Sequence, residues 1–192
     1  MKPLQESGAR MHDAIALFKA FFAILRGGPI DDTDIETRRL NPKNPAHAEG
    51  FVNRGIAFHE QGMFKEAIAD YTTAMRHETN GYKPRYLRGL ALYSLCRPDL
   101  ALKDFETATT IDPNLSTGQI MRARTLMHLD RAVDALAAFD AALDERADED
   151  LLLERAGVHL ALNDHASALA DCDKADLVRS DNPESWRQRA RI

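Results

Sequence analysis

Residues 88–108 read RGLALYSLCRPDLALKDFETA, and the fold is decided by how often that stretch returns. Arg followed by a small residue occurs at Arg54-Gly55, Arg88-Gly89, Arg122-Ala123, Arg155-Ala156 and Arg189-Ala190, at spacings of 34, 34, 33 and 34. So regular a period marks stacked supersecondary units, none of which can bury its apolar face alone. Downstream of each small residue runs an Ala-x3-aromatic-x2-Ala pattern: Ala67, Tyr71, Ala74, then Ala101, Phe105, Ala108, then Ala135, Phe139, Ala142. The fourth copy keeps Ala168 and Ala175 and puts Cys172 in the aromatic place. Small residues at this spacing fall on one stripe of a helix, where they admit a neighbouring helix, and the aromatic fills the gap between them. Each unit is therefore predicted to be a helical hairpin.

Turn signals divide the chain in the same way. Glu60-Gln61-Gly62 and Cys96-Arg97-Pro98-Asp99 interrupt the first two units halfway, and Ile111-Asp112-Pro113-Asn114 closes the second. Units of 48–81, 82–115, 116–148 and 149–182 follow, with a partial fifth at 183–192 that begins at Asn182-Pro183 and contains Trp186. In the fourth unit two registers fit. Either Ala156 holds the small position and the missing residue lies between units, or Gly157 holds it and the deletion falls in the turn near Asn163-Asp164.

The pattern resembles the tetratricopeptide repeat (TPR), whose signature is W-x2-L-G-x2-Y, then A-x3-F, then P. The matching residues are Phe51, Gly55, Phe58, Ala67, Tyr71 and Ala74 in the first copy, and Gly89, Leu92, Ala101, Phe105, Ala108 and Pro113 in the second. The third and fourth depart from it, with Ala123 for the glycine, Ala147 and Ser180 for the closing proline, and Cys172 for the aromatic. The resemblance implies an all-α, right-handed solenoid of about four TPR-like hairpins, with an apolar N-terminal helix and a truncated C-terminal one. It also implies a concave groove lined by the first helix of each unit, and no catalysis. Carried onto this chain, the groove residues are Val52, Ile56 and His59, then Tyr86, Leu90 and Tyr93, then Ile120, Arg124 and Met127, then Leu153 and Leu160. Such a surface suits a helix or hydrophobic peptide of another protein, with Tyr hydroxyls and Arg124 setting its orientation. The clamp with which one TPR subclass grips chaperone C-termini is not expected, because Val52 and Ile56, or Tyr86 and Leu90, stand where its Lys and Asn would be.

A second column repeats with the first. Arg54 and Asp70, Arg88 and Asp104, and Arg155 and Asp171 are each 16 apart, whereas Arg122 has Ala138 in the corresponding place. Ion pairs across three hairpins are the expectation.

Composition narrows function by exclusion. The chain of 192 residues carries 25 Lys and Arg against 30 Asp and Glu, a formal charge of -5, which disfavours nucleic acid as a partner. Cys96 and Cys172 lie far apart without a CxxC spacing, so neither a disulfide framework nor a zinc site is indicated, and a reducing, cytoplasmic setting is expected. His59-Glu60-Gln61-Gly62-Met63 begins like a zinc-protease helix but lacks the second histidine. His159 and His165 straddle a turn, and Asp144, Glu145, Asp148, Glu149 and Asp150 read as a solvated junction without calcium-ligand spacing. No phosphate loop, nucleophile elbow, cofactor motif or catalytic set is found. An accessory subunit docked on an enzyme or membrane-associated complex is the alternative to an adaptor.

Residues 1–47 differ in character, with seven Lys/Arg and six Asp/Glu, so the remaining residues hold the acidity. Residues 1–28 contain an apolar helix-like run from Ala14 to Leu25, stopped by Gly27-Gly28-Pro29. Twelve residues make ~18 Å of helix against ~30 Å of hydrocarbon, so a membrane span is excluded by length. Lys19 splits the run and no small-x-small site follows, which argues against a signal peptide. Three destinations remain open: a cap on the first repeat, the protein's own groove, or membrane-surface contact through residues 13–26. Residues 29–47, with Pro29, Pro42 and Pro45, read as a connector, and Thr33 with Glu36 matches a capping box.

Overall fold

A computed structural model describes residues 48–145, 148–178 and 183–190. The apolar helix and connector expected within residues 1–47 lie outside the described residues. The described residues form helices and turns and no strand. In chain order the helices are α1 (Ala48–Glu60), α2 (Phe64–His77), α3 (Tyr82–Ser94), α4 (Pro98–Ile111), α5 (Ser116–His128), α6 (Ala132–Glu145), α7 (Glu149–Ala161), α8 (His165–Val178) and α9 (Pro183–Arg189). The chain divides into two compact units, one ending at Ile111 and the other beginning at Asp112. In the first unit α1 pairs with α2 and α3 with α4, and α2 packs on α3. In the second, α5 pairs with α6 and α7 with α8, α6 packs on α7, and α9 rests on α7 and α8.

First helices begin at Ala48, Tyr82, Ser116 and Glu149, and each second helix begins 16 residues later, at Phe64, Pro98, Ala132 and His165. The shortening therefore falls between α6 and α7, not inside the fourth turn. Ala156 is buried in a cluster with Leu152, Leu153, Ala168, Cys172 and Ala175, while Gly157 looks toward Gln188. Asp148, read in sequence as part of a wet junction, has a structural task as well. Its carboxylate accepts hydrogen bonds from the Asp150 and Leu151 backbone N–H groups, at 3.1 and 3.3 Å, and caps α7.

All four hairpin turns are built alike. Gly62, Cys96, Asp130 and Asn163 take left-handed backbone conformations, with φ of 74°, 56°, 56° and 58°. The residue after each donates its N–H back across the helix end: Met63 to the Phe58 carbonyl at 2.8 Å, Arg97 to Leu92 at 3.0 Å, Arg131 to Leu126 at 2.9 Å, and Asp164 to His159 at 2.9 Å. This is the Schellman closure, which satisfies carbonyls that a helix end leaves open. Glycine enters the conformation freely, and Asn and Asp tolerate it, but Cys96 bears the Cβ penalty with no local compensation.

Inside each hairpin the sequence columns meet. A Cβ on Gly55 would lie 2.7 Å from the Tyr71 ring, and one on Gly89 2.6 Å from the Phe105 ring. Both distances are below van der Waals contact, so in these two hairpins a methyl group would force the ring or the helix to shift, whereas the third hairpin buries Ala123 opposite Phe139. Tyr71, Phe105, Phe139 and Cys172 are all fully or almost fully buried.

The predicted ion pairs are present and are bidentate. Arg54 Nε and Nη2 each lie 2.7 Å from the Asp70 carboxylate, Arg88 grips Asp104 at 2.7 and 2.7 Å, and Arg155 grips Asp171 at 2.8 and 2.7 Å. The aspartates are buried and the arginines partly so. Hydrogen bonding to these carboxylates raises all three guanidinium pKa values above their already high ordinary value. The remaining nitrogen reaches backward along the array. Arg88 Nη1 donates to Thr72 on α2 at 3.2 Å, and Arg155 Nη1 to Asp140 on α6 at 2.5 Å. Arg189 continues the column, meeting Asp173 and Asp176 on α8 at 2.6 Å each. One planar fork thus ties its own second helix to that of the preceding hairpin, which a lysine could not do in one geometry.

The third hairpin lacks this lock. Arg122 Nη1 reaches only Gln119, at 3.4 Å, and its buried Nε has no hydrogen-bond partner. Ala138→Asp is expected to complete the column and raise stability by about 0.5–1 kcal/mol, a melting shift of ~2 °C for a chain of this size. Added salt should shrink the gain. A melting temperature that stays level or falls in low salt counts against the register assigned to α6.

Candidate peptide-binding faces of the first helices

The residues predicted to line a groove lie on α1, α3, α5 and α7, and the structure sorts them by depth. In the first unit Val52, Ile56 and His59 on α1 are buried, as are Tyr86 and Leu90 on α3, whereas Tyr93 keeps partial exposure. In the second unit Ile120, Arg124 and Met127 on α5 and Leu160 on α7 are partly exposed, and Leu153 is buried. The ring of Tyr86 tilts against Phe105 of its own hairpin, with centroids 5.9 Å apart, so it anchors α3 on α4. Leu153 joins the cluster around Cys172. Among the partly exposed residues, Tyr93 is the aromatic of the first unit, and Ile120, Met127 and Leu160 are the aliphatic and thioether surface of the second.

Arg124 has an occupation that the sequence did not reveal. Its Nε lies 2.7 Å from one Glu154 oxygen, and its Nη2 donates to the other, so it bridges α5 to α7. Both side chains remain partly exposed. The pair is 30 residues apart and belongs to neither the 34-residue period nor the 16-residue column, which is why pattern reading passed over Glu154. Thr125, fully buried one position on, turns its hydroxyl to the Met121 carbonyl at 2.6 Å and thereby removes its polarity from the core.

The remaining chemistry is sparse. Burial raises the Cys172 thiol pKa, so this sulfur packs in its neutral form. Among the described residues no cluster of His, Cys, Asp and Glu has the arrangement to hold a metal ion, and no helix is long and apolar enough to cross a membrane.

Repeated two-helix hairpins whose glycine and aromatic positions interlock define an α-helical repeat scaffold. The chain belongs to the tetratricopeptide-repeat family, whose models match residues 82–115 and 120–184. Solved structures share its fold. YrrB, a TPR protein with an unusual peptide-binding site, is 19% identical with a TM-score of 0.68, covering 97% of this chain and 87% of that one. A MamA RS-1 ArsTM double mutant is 18% identical with a TM-score of 0.70, covering 90% and 99%. The first TPR of Spaghetti (RPAP3), bound to the HSP90 peptide SRMEEVD, is 19% identical with a TM-score of 0.60, covering 62% and 96%.

His59 offers a pH handle on the α1 face. Its ring meets Phe64 edge-on at 5.0 Å, and burial lowers its pKa from 6.5 to about 4. Above pH 6.5 neither folded nor unfolded chain carries this proton. As pH falls from 6.5 toward 4 the unfolded chain binds it first, so stability is lost with acidification, by about 1.4 kcal/mol per pH unit. Urea melts of wild type and His59→Leu across that range should therefore diverge, with wild type losing ~3 kcal/mol more at the acid end. Parallel curves would show that His59 is not held neutral.

Proposed function

We propose that this chain is a non-enzymatic, cytoplasmic protein-interaction adaptor that receives a helix or hydrophobic peptide from another protein on the inner faces of its first helices. The residues assigned to that surface are Val52, Ile56, His59, Tyr86, Leu90, Tyr93, Ile120, Arg124, Met127, Leu153 and Leu160. Two tiers are distinguished within them. Tyr93 in the first unit, and Ile120, Met127 and Leu160 in the second, are the ligand-touching residues of their own units, while the buried members hold the helices that carry them. The observation that carries the reading is that these four large apolar side chains stay partly open on first helices while the equivalent-sized residues of the hairpin interiors are sealed. Aromatic and Met side chains left open on a rigid scaffold supply contact area at low entropic cost.

Two relatives in fold support a peptide ligand: YrrB, described as having a peptide-binding site, and the RPAP3 repeat, bound to an HSP90 peptide. The ligand class proposed here differs from an acidic chaperone terminus. The positions that would need Lys and Asn hold Val52, Ile56, Tyr86 and Leu90, three of them buried at 2% exposure or less and the fourth at 4%.

Tyr86→Ala or Leu90→Ala would remove core volume at a cost of roughly 2–5 kcal/mol and confuse binding with unfolding. The informative variant is Tyr93→Ala with Met127→Ala. Selection from a displayed library of helical peptides should yield Leu-, Phe- and Met-rich ligands whose affinity drops about tenfold in the variant, with the melting temperature nearly unchanged. Ligands indifferent to the variant, or micromolar binding of an acidic chaperone-type C-terminus, would contradict this assignment.

A further inference from the structure

The first unit carries a cavity on the side of α3 opposite Tyr93. At 100° per residue Arg88, Leu92 and Leu95 cluster on one side of α3, and Tyr86, Leu90 and Tyr93 on the other. The first group forms the floor of a cavity of about 540 Å³ between α2 and α4. Ile68 of α2 and Leu100 of α4 complete its apolar lining, and Lys65, Arg97 and Lys103 stand around it. Leu100 is 43% exposed, and the three cationic side chains are exposed too.

The repeat itself is the control that makes this cavity unusual. Arg131 occupies the turn position equivalent to Arg97 and is held by Asp134 at 2.6 Å. In the second hairpin the place of Asp134 is taken by Leu100, so Arg97 has no such partner. The place of Lys103 is alanine in the other three hairpins, Ala69, Ala137 and Ala170. Among the described residues Lys65, Arg97 and Lys103 make no ion pair, and Arg88 is the one lining cation that does, with Asp104. At the corresponding positions of the second unit Val133 stands in place of Lys65, Asp164 in place of Arg97 and Ala170 in place of Lys103. The one cation kept there, Arg155, lies between Asp140 and Asp171. Uncompensated positive charge is thus gathered at one apolar notch in residues 48–192, which hold 18 Lys and Arg against 24 Asp and Glu.

We infer that this notch is a second docking site, and that its partner is an acidic protein segment in which Leu-type side chains alternate with Asp or Glu. The apolar floor accepts the hydrophobic side chains, and the three unpaired cations meet the flanking carboxylates. Charge of this kind speeds encounter and selects against basic segments more than it adds affinity. The site is independent of the groove assigned above, since no residue is shared.

The test uses the full chain and a short fluorescein-labelled peptide in which Leu alternates with Asp and Glu, with polarisation as readout. Saturable binding is expected, weakened about tenfold by Lys65→Glu with Arg97→Glu and Lys103→Glu, and weakened as salt rises. Lys103→Ala, which restores the residue of the other hairpins, should give a smaller loss in the same direction without disturbing the fold. Tyr93→Ala with Met127→Ala should leave this binding intact, which separates failure of this site from failure of the groove. No binding by wild type, equal binding of a peptide with Lys in place of the acids, or binding transferred to anionic phosphatidylserine vesicles that outcompete the peptide would overturn the inference.

Discussion

The structure depends on how closely the two helices of a hairpin approach across a single pair of residues 16 apart. Gly55 faces Tyr71 and Gly89 faces Phe105 at distances that no Cβ could share with the ring. Packing at interior density makes that contact exacting: a methyl group has nowhere to go unless the helices separate or the ring turns. The fourth hairpin solves the same problem with the sizes exchanged, Ala156 opposite Cys172, both fully buried. The third hairpin accommodates Ala123 opposite Phe139, both buried, so the pair sets the helix separation hairpin by hairpin. Once the separation is fixed, the alanine stripes on the second helices can seat against their neighbours within each unit.

Two further devices maintain that arrangement. The left-handed turn residue ends every first helix at the same point and returns the chain after a fixed number of residues, so register cannot drift within a hairpin. The arginine forks act between hairpins as well as within them, because Arg88 and Arg155 each contact the second helices on both sides. Partly exposed ion pairs contribute little energy. Their bidentate geometry instead specifies which helix lies beside which, a role that matters in an array whose units are nearly interchangeable.

The repeat period made the fold legible in the sequence to an unusual degree. Hairpins, their turns, the glycine–aromatic column and the three Arg–Asp pairs all follow from residues recurring at 34 and 16. What the period could not supply was depth. Tyr86 and Tyr93 sit on the same side of α3, yet one is sealed against Phe105 and the other keeps partial exposure. Arg124 looked like a free orienting group because Glu154 lies outside both spacings. The register of the fourth unit was ambiguous in sequence because Ala156 and Gly157 are both small, and only packing against Cys172 separates them. The cationic notch was hidden for the opposite reason. It arises where a hairpin departs from its siblings, at Leu100 and Lys103, and those residues gain meaning only once α2 and α4 stand side by side.

A double-mutant cycle at the glycine–aromatic contact tests the central claim most directly. Gly89→Ala alone should destabilise by about 1–3 kcal/mol through overpacking, and Phe105→Cys alone by ~2–4 kcal/mol through the cavity it leaves. Together they recreate the Ala156–Cys172 pair of the fourth hairpin, and the combined loss should fall short of the sum by about 1 kcal/mol or more. Strict additivity, measured by chemical unfolding, would contradict the account, because it would mean that the helices do not set their separation through this pair.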